Sequence, residues 1–136
     1  MLNIIKDLLP FGATLLGKGF HDALEYIHKI IPLEIMKIPS GTKLETWTVP
    51  DEWIVHDAWV KFNGKKILDY KTNPLCLMVY SQPVKETMNL TEFKKHLTPA
   101  EEINATAYHY SFYEKRWGFS LPKDQMWKKI ADGKPI

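Results

Sequence analysis

Ile38-Pro39-Ser40-Gly41-Thr42-Lys43, then Trp47-Thr48-Val49-Pro50-Asp51-Glu52-Trp53, then Asn63-Gly64 and Asp69-Tyr70-Lys71, and last Asn73-Pro74-Leu75-Cys76-Leu77-Met78-Val79-Tyr80-Ser81-Gln82-Pro83 decide the fold of this 136-residue chain. Asn63-Gly64 takes the positive φ angles of a type I′ turn at little cost, so Ile54 to Phe62 and Lys65 to Tyr70 read as the two arms of a hairpin. Leu75 to Tyr80 is a continuous apolar run bounded by prolines, the pattern of a buried strand. Pro39-Ser40-Gly41 turns the chain before this region begins.

Working outward toward the amino terminus, Leu2, Ile5, Leu8 and Leu9 fall at helical spacing, and Pro10 with Gly12 ends that helix. Phe20, Ala23, Leu24, Ile27, Ile30 and Ile31 form one apolar stripe of a second helix, which Pro32 stops. Leu33 and Ile35, with Ile38 beyond them, then suggest a short strand. Toward the carboxyl terminus, Thr91 is placed to cap a short helix from Glu92 to Leu97, with Glu92 favourable in its first turn. Tyr108, Tyr110 and Phe112 share one face of a strand and His109, Ser111 and Tyr113 the other, and the first face reads as core. Pro122 opens a last helix that Gly133 closes. The fold class is α+β, with helices at both ends around a strand-rich middle.

The composition, 45% hydrophobic, is enough for one ordinary core. Seventeen lysines and one arginine stand against 16 acids, for a formal charge of +2. They are scattered along the chain, so there is no electrostatic footprint for nucleic acid. No apolar run reaches the ~18 residues of a membrane span, and the charged start Met1-Leu2-Asn3-Ile4-Ile5-Lys6-Asp7 does not read as a convincing secretion signal. A cytoplasmic location is expected.

Few constellations carry chemistry. His21 and His28, seven apart, can share a helix face, but two imidazoles do not make a metal site, and the plainer reading is two helix histidines. His56 and Asp57 adjoin on an expected strand and so point to opposite faces. Cys76, the single cysteine, lies in an apolar run without a basic neighbour and reads as an inert thiol. Ser111 has no supporting motif for a nucleophile. The best surface candidate is Trp47, Asp51, Glu52 and Trp53: Pro50 fixes the backbone between two large aromatics, and the two acids suit a substrate amine or a partner's lysine. The competing reading makes both tryptophans packing residues. No catalytic and no metal-binding residue is recognised.

The order of these motifs resembles the amino-terminal part of a bacterial family of aminopeptidase-like zinc peptidases. The family also has a Gly-x-Gly turn before its first long helix, matched by Gly17-Lys18-Gly19, and an aromatic run leading to Trp-Gly-Phe. Here that run is Tyr108-His109-Tyr110-Ser111-Phe112-Tyr113, followed by Trp117-Gly118-Phe119. The resemblance covers nearly the whole chain but only about the first third of a family member. Ala13-Thr14 stands where the family usually has Arg-Ser, Ala107 where it has proline, Cys76 where a histidine is common, and Ser120 where a cysteine is common.

The resemblance implies three segments. Residues 1–37 would start a peptidase-like α/β domain, 38–119 would be an inserted β-rich domain of unknown function beside the catalytic cleft, and 120–136 a closing helix with a truncated end. It implies hydrolase ancestry, with zinc expected for the full-length family and its ligands beyond Ile136. The chain itself would hold no cofactor and be inactive alone. Expected partners are a peptide-like substrate or a protein, including a second copy in a homo-oligomer, with no nucleic acid and no membrane. The alternative is a non-catalytic binding or assembly module.

Overall fold

The computed structural model describes residues 2–12, 16–100, 102 and 105–122. Over these the protein is a small α+β structure with few helices and short sheets. Its backbone falls into two compact units, Met1–Val55 and His56–Ile136.

In the first unit, helix α1 (Leu2–Leu8) runs into a single 3-10 turn, Leu9–Phe11, which Gly12 closes in the left-handed conformation at φ 54°. This is the stop expected from Pro10 and Gly12. Helix α2 (Lys18–His28) follows. Tyr26 Oη donates to Asp7 at 2.6 Å, and the rings of Tyr26 and Phe11 lie 6.0 Å apart, so phenol and ring together tie α2 to the preceding segment. Gly19 is required there, because a Cβ at that position would come within 1.9 Å of the Phe11 carbonyl oxygen.

Two expectations for this unit are corrected. Ile30 and Ile31 lie past the end of α2 and are exposed, because the helix tightens before Pro32, with the Ile30 N–H donating to Ile27 O at 2.9 Å. Proline disfavours the helical conformation of the residue before it. Leu33, Ile35 and Ile38 form no strand among the described residues. Alternation creates a half-buried face, but a strand also needs a neighbour to complete its hydrogen bonds.

The second unit opens with the hairpin of β1 (Trp59–Phe62) and β2 (Lys65–Asp69), joined by Asn63 at φ 47° and Gly64 at φ 79°. The turn is the one the dipeptide dictates. The first arm is shorter than expected, since Ile54 to Ala58 lie outside it. A bulge between Val60 and Lys61 shifts the register from Val60↔Leu68 to Lys61↔Lys66, leaving Ile67 as the extra residue. The two lysines share the ring of Trp59, with Nζ of Lys61 at 4.8 Å and Nζ of Lys66 at 5.9 Å from its centre. Lys66 also reaches Asp69 at 2.7 Å and holds that carboxyl below its ordinary pKa, helped by the Lys71 N–H.

The core of this unit is built around Cys76 to Val79. The expected strand Leu75 to Tyr80 is corrected to a 3-10 turn, Pro74–Cys76, followed by two isolated bridges. Asn73 caps the turn by accepting the Leu75 N–H at 3.1 Å, and proline in the first turn favours it. Leu77 then bridges Phe119 antiparallel, and Val79 bridges Tyr110 in parallel. On the far side of Phe119, strand β3 (Leu97–Pro99) pairs in parallel with β4 (Phe119–Leu121). The backbone rows therefore run 109–111, 77–79, 118–121 and 96–100, linked by Val79 N–H to His109 O, Met78 N–H to Gly118 O and Phe119 N–H to His96 O. Leu121 is 0% exposed and Cys76 2%.

Helix α3 (Leu90–Lys94) leads into β3, with Phe93 buried. Its cap is Asn89, whose Oδ1 accepts the Glu92 N–H at 3.0 Å, rather than the expected Thr91. Glu92 does sit in the first turn. All but the first residue of the closing helix expected from Pro122 to Gly133 lies outside the described residues. No helix among the described residues is long and apolar enough to cross a membrane.

Candidate functional site

The four candidate residues of the first unit stand on and beside one small loop. The turn at Pro39 is closed by the Thr42 N–H at 3.2 Å and by Thr42 Oγ1 at 2.6 Å, both donating to Pro39 O. Gly41 N–H to Val49 O, Val49 N–H to Thr42 O and Leu44 N–H to Trp47 O, all between 2.8 and 2.9 Å, then fold residues 41–49 back on themselves. Val49 is buried beneath the loop, while Trp47 at its tip is 49% exposed. Asp51 and Glu52 are exposed, and Trp53 is half-buried with its N–H donating to Leu16 O at 3.2 Å. Trp47 and the two acids thus face solvent, and Trp53 is partly withdrawn into the unit.

The residues weighed for chemistry are placed as follows. His21, His28, His56 and Asp57 are exposed. Among the described residues no three His, Cys, Asp or Glu side chains lie close enough to hold a metal ion. Burial pushes the Cys76 thiol up to about 11, with the negative charge of Asp69 acting in the same direction. A thiol so protonated is a poor nucleophile at neutral pH. Ser111 is 3% exposed and its hydroxyl donates to Glu114 O at 3.0 Å, so it locks a turn.

A second surface, in the other unit, was hidden in the aromatic run. The expected strand over residues 108–113 is reduced to a single bridge at Tyr110. The rings of Tyr108, Tyr110 and Phe112 still adjoin, but they are turned outward, against expectation: Tyr108 is 55% exposed and Tyr110 50%. Ser111 packs inward because its N–H donates to Val79 O at 2.9 Å at the centre of the core. His109 lies half-buried, with Nδ1 2.7 Å from Thr98 Oγ1. Alternation separates two faces without saying which is inward, and here the smaller residue fits against the core segment 77–79. Tyr80 extends the row, its backbone at φ 67° and its ring 5.0 Å from Phe112. The further steps are 4.9 Å from Phe112 to Tyr110 and 6.1 Å from Tyr110 to Tyr108.

The motif Trp117-Gly118-Phe119 is structural around a histidine that motif reading passed over. The ring of His96 lies flat on Trp117 at 3.8 Å and 7°, and its Nδ1 donates to Trp117 O at 3.1 Å. Gly118 allows the approach, since a Cβ there would stand 2.9 Å from His96 O.

Comparison with known proteins adds three findings. A family profile described as a domain of unknown function, DUF2172, matches residues 52–134. A protein of Clostridium acetobutylicum, provisionally named a polysaccharide biosynthesis protein with aminopeptidase-like domain, is 42% identical over 125 residues, covering 90% of this chain and 29% of its own length. A crystal structure from the same organism, provisionally named a peptidase, superimposes with a TM-score of 0.85 at 40% identity, covering 93% of this chain and 30% of that one. The chain therefore spans under a third of the length of the relatives it matches.

Proposed function

The chain belongs to the DUF2172 family, and from that premise we propose that it is the amino-terminal segment of an aminopeptidase-like zinc peptidase, inactive alone. The observation that carries this reading is the relative 42% identical over 90% of the chain, whose name includes an aminopeptidase-like domain and whose length is matched only to 29%. On this reading residues 1–37 begin the peptidase domain, 38–119 form the inserted domain, and 120–136 lead back toward the peptidase. On this reading the zinc and its ligands belong to the remainder of the protein.

Trp47, Asp51, Glu52 and Trp53 are proposed to shape access for a peptide-like substrate. A carboxylate pair beside an exposed indole suits a free amino terminus, through charge and cation–π attraction. The protein is proposed to act in the cytoplasm, without nucleic acid or membrane.

The test has two parts. The native product in its source cells should be much heavier than the 15.9 kDa of this chain, and a species near that mass sinks the reading. The chain alone, given stoichiometric zinc, should release no chromophore from aminoacyl p-nitroanilides and show no rise in Tm. A second reading, a non-catalytic binding or assembly module with a homo-oligomer as one form, is favoured by the outward-facing aromatic row.

A further inference from the structure

We propose that the row Tyr80–Phe112–Tyr110–Tyr108 is a binding platform for a neutral saccharide chain. The proposal gives a ligand class to the binding reading above and does not depend on hydrolysis.

The geometry is that of a continuous ridge. Consecutive ring centres are 5.0, 4.9 and 6.1 Å apart, with tilts of 55°, 45° and 42°. Rings this close touch one another. The row ends at a residue held in a conformation that bulky side chains rarely adopt, Tyr80 at φ 67°. The backbone on either side keeps it there: Ser81 N–H donates to Met78 O at 3.1 Å and Gln82 N–H to Arg116 O at 3.0 Å. Strain maintained by its surroundings in this way is a mark of pre-organised sites.

The chemistry of the row selects among ligands. Tyr108 and Tyr110 are half-exposed, and their hydroxyls make no hydrogen bond with any described residue. A purely apolar partner would strand those hydroxyls out of water, at a cost for each. A sugar offers C–H faces to the rings and hydroxyls to the phenols. None of the four residues is charged, and the nearby Arg116 and Glu114 pair with each other at 2.9 Å. Phosphate chains need cationic side chains that the row lacks. A proline-rich peptide needs slots between aromatic rings. Rings in contact leave none, whereas a sugar chain, which twists from one residue to the next, can meet rings inclined to one another at steps close to one pyranose in length.

The test is calorimetric titration of the chain with linear neutral hexasaccharides of glucose and of N-acetylglucosamine, with a proline-rich decapeptide and a short oligonucleotide as rivals. One of the hexasaccharides should bind. Tyr110→Ala should weaken it by about tenfold or more, a difference of about 1.4 kcal/mol. Tyr108→Ala sits at the exposed end of the row and guards against a folding defect at Tyr110, and it should weaken binding too. Trp59→Ala, outside the row, should leave binding unchanged. The proposal is overturned if neither hexasaccharide binds at millimolar concentration, or if both tyrosine variants bind as the parent does. It is equally overturned if the decapeptide or oligonucleotide binds instead, or if sedimentation shows the row buried between two copies of the chain.

Discussion

At Cys76 burial has a chemical readout. Its thiol is raised from about 9 to about 11 by desolvation. The native state therefore holds this proton more tightly than the unfolded chain does. The stabilisation is complete below about pH 9 and is lost as pH rises toward 11. Tm should fall across that window, and Cys76→Ala should flatten part of the decline. At pH 8 a thiol reagent should modify the unfolded chain at once and the native chain only on the timescale of opening. A flat Tm profile together with fast native labelling would contradict the burial. Its neighbour in the core, Ser120, has a buried hydroxyl with no hydrogen-bond partner among the described residues. Ser120→Cys should raise unfolding free energy by about 1 kcal/mol, because a thiol is less costly to bury than a hydroxyl. Urea denaturation of the variant measures it. That Cys76 is inert was legible from its apolar neighbours alone. The orphaned hydroxyl was not, since a serine's partners depend on tertiary neighbours.

Among the elements, Gly19 stands in the first turn of α2, and glycine within a helix is ordinarily worth replacing, because alanine gains up to about 1 kcal/mol. Gly19 should reverse that sign. Its added Cβ would fall 1.9 Å from backbone oxygen, so Gly19→Ala should destabilise by at least about 1–3 kcal/mol, read as a lower denaturation midpoint. The cap of α3 gives a second comparison. Asn89→Ala should cost about 1 kcal/mol and Thr91→Ala under about 0.5, and the reverse order would restore Thr91 as the cap. The sequence favoured Thr91 because both residues are good caps and spacing alone does not separate positions two apart. The hairpin was readable, since Asn63-Gly64 has one preferred turn. Residues 74–80 were not, because a short apolar run fits a strand or a turn equally until Asn73 is seen to cap it.

For the molecule as a whole, hydrogen exchange should rank the amides. Met78, Val79, Phe119 and Ala100 are both buried and hydrogen-bonded across rows of the core, and should exchange slowest. Residues 34–38 have no backbone hydrogen bond of this kind and should exchange within the dead time of a manual experiment. The α+β class was readable from periodicity, whereas the residue pattern left Trp47 and Trp53 open to either a surface or a packing reading, and the structure exposes Trp47 and half-buries Trp53. The outward turn of the tyrosine row was not, because a face is defined inward or outward only by what the core already contains. The order of the core rows also bears on how the protein is made. Both backbone neighbours of residues 77–79 come later in the chain, at 109–111 and 118–121. From Val79 to Leu121 is 121 − 79 = 42 residues, which at about 5–20 residues per second takes roughly 2–8 s to synthesise. Until Leu121 has been made, residues 77–79 do not have both rows they pair with, so the core of this unit closes only late in synthesis.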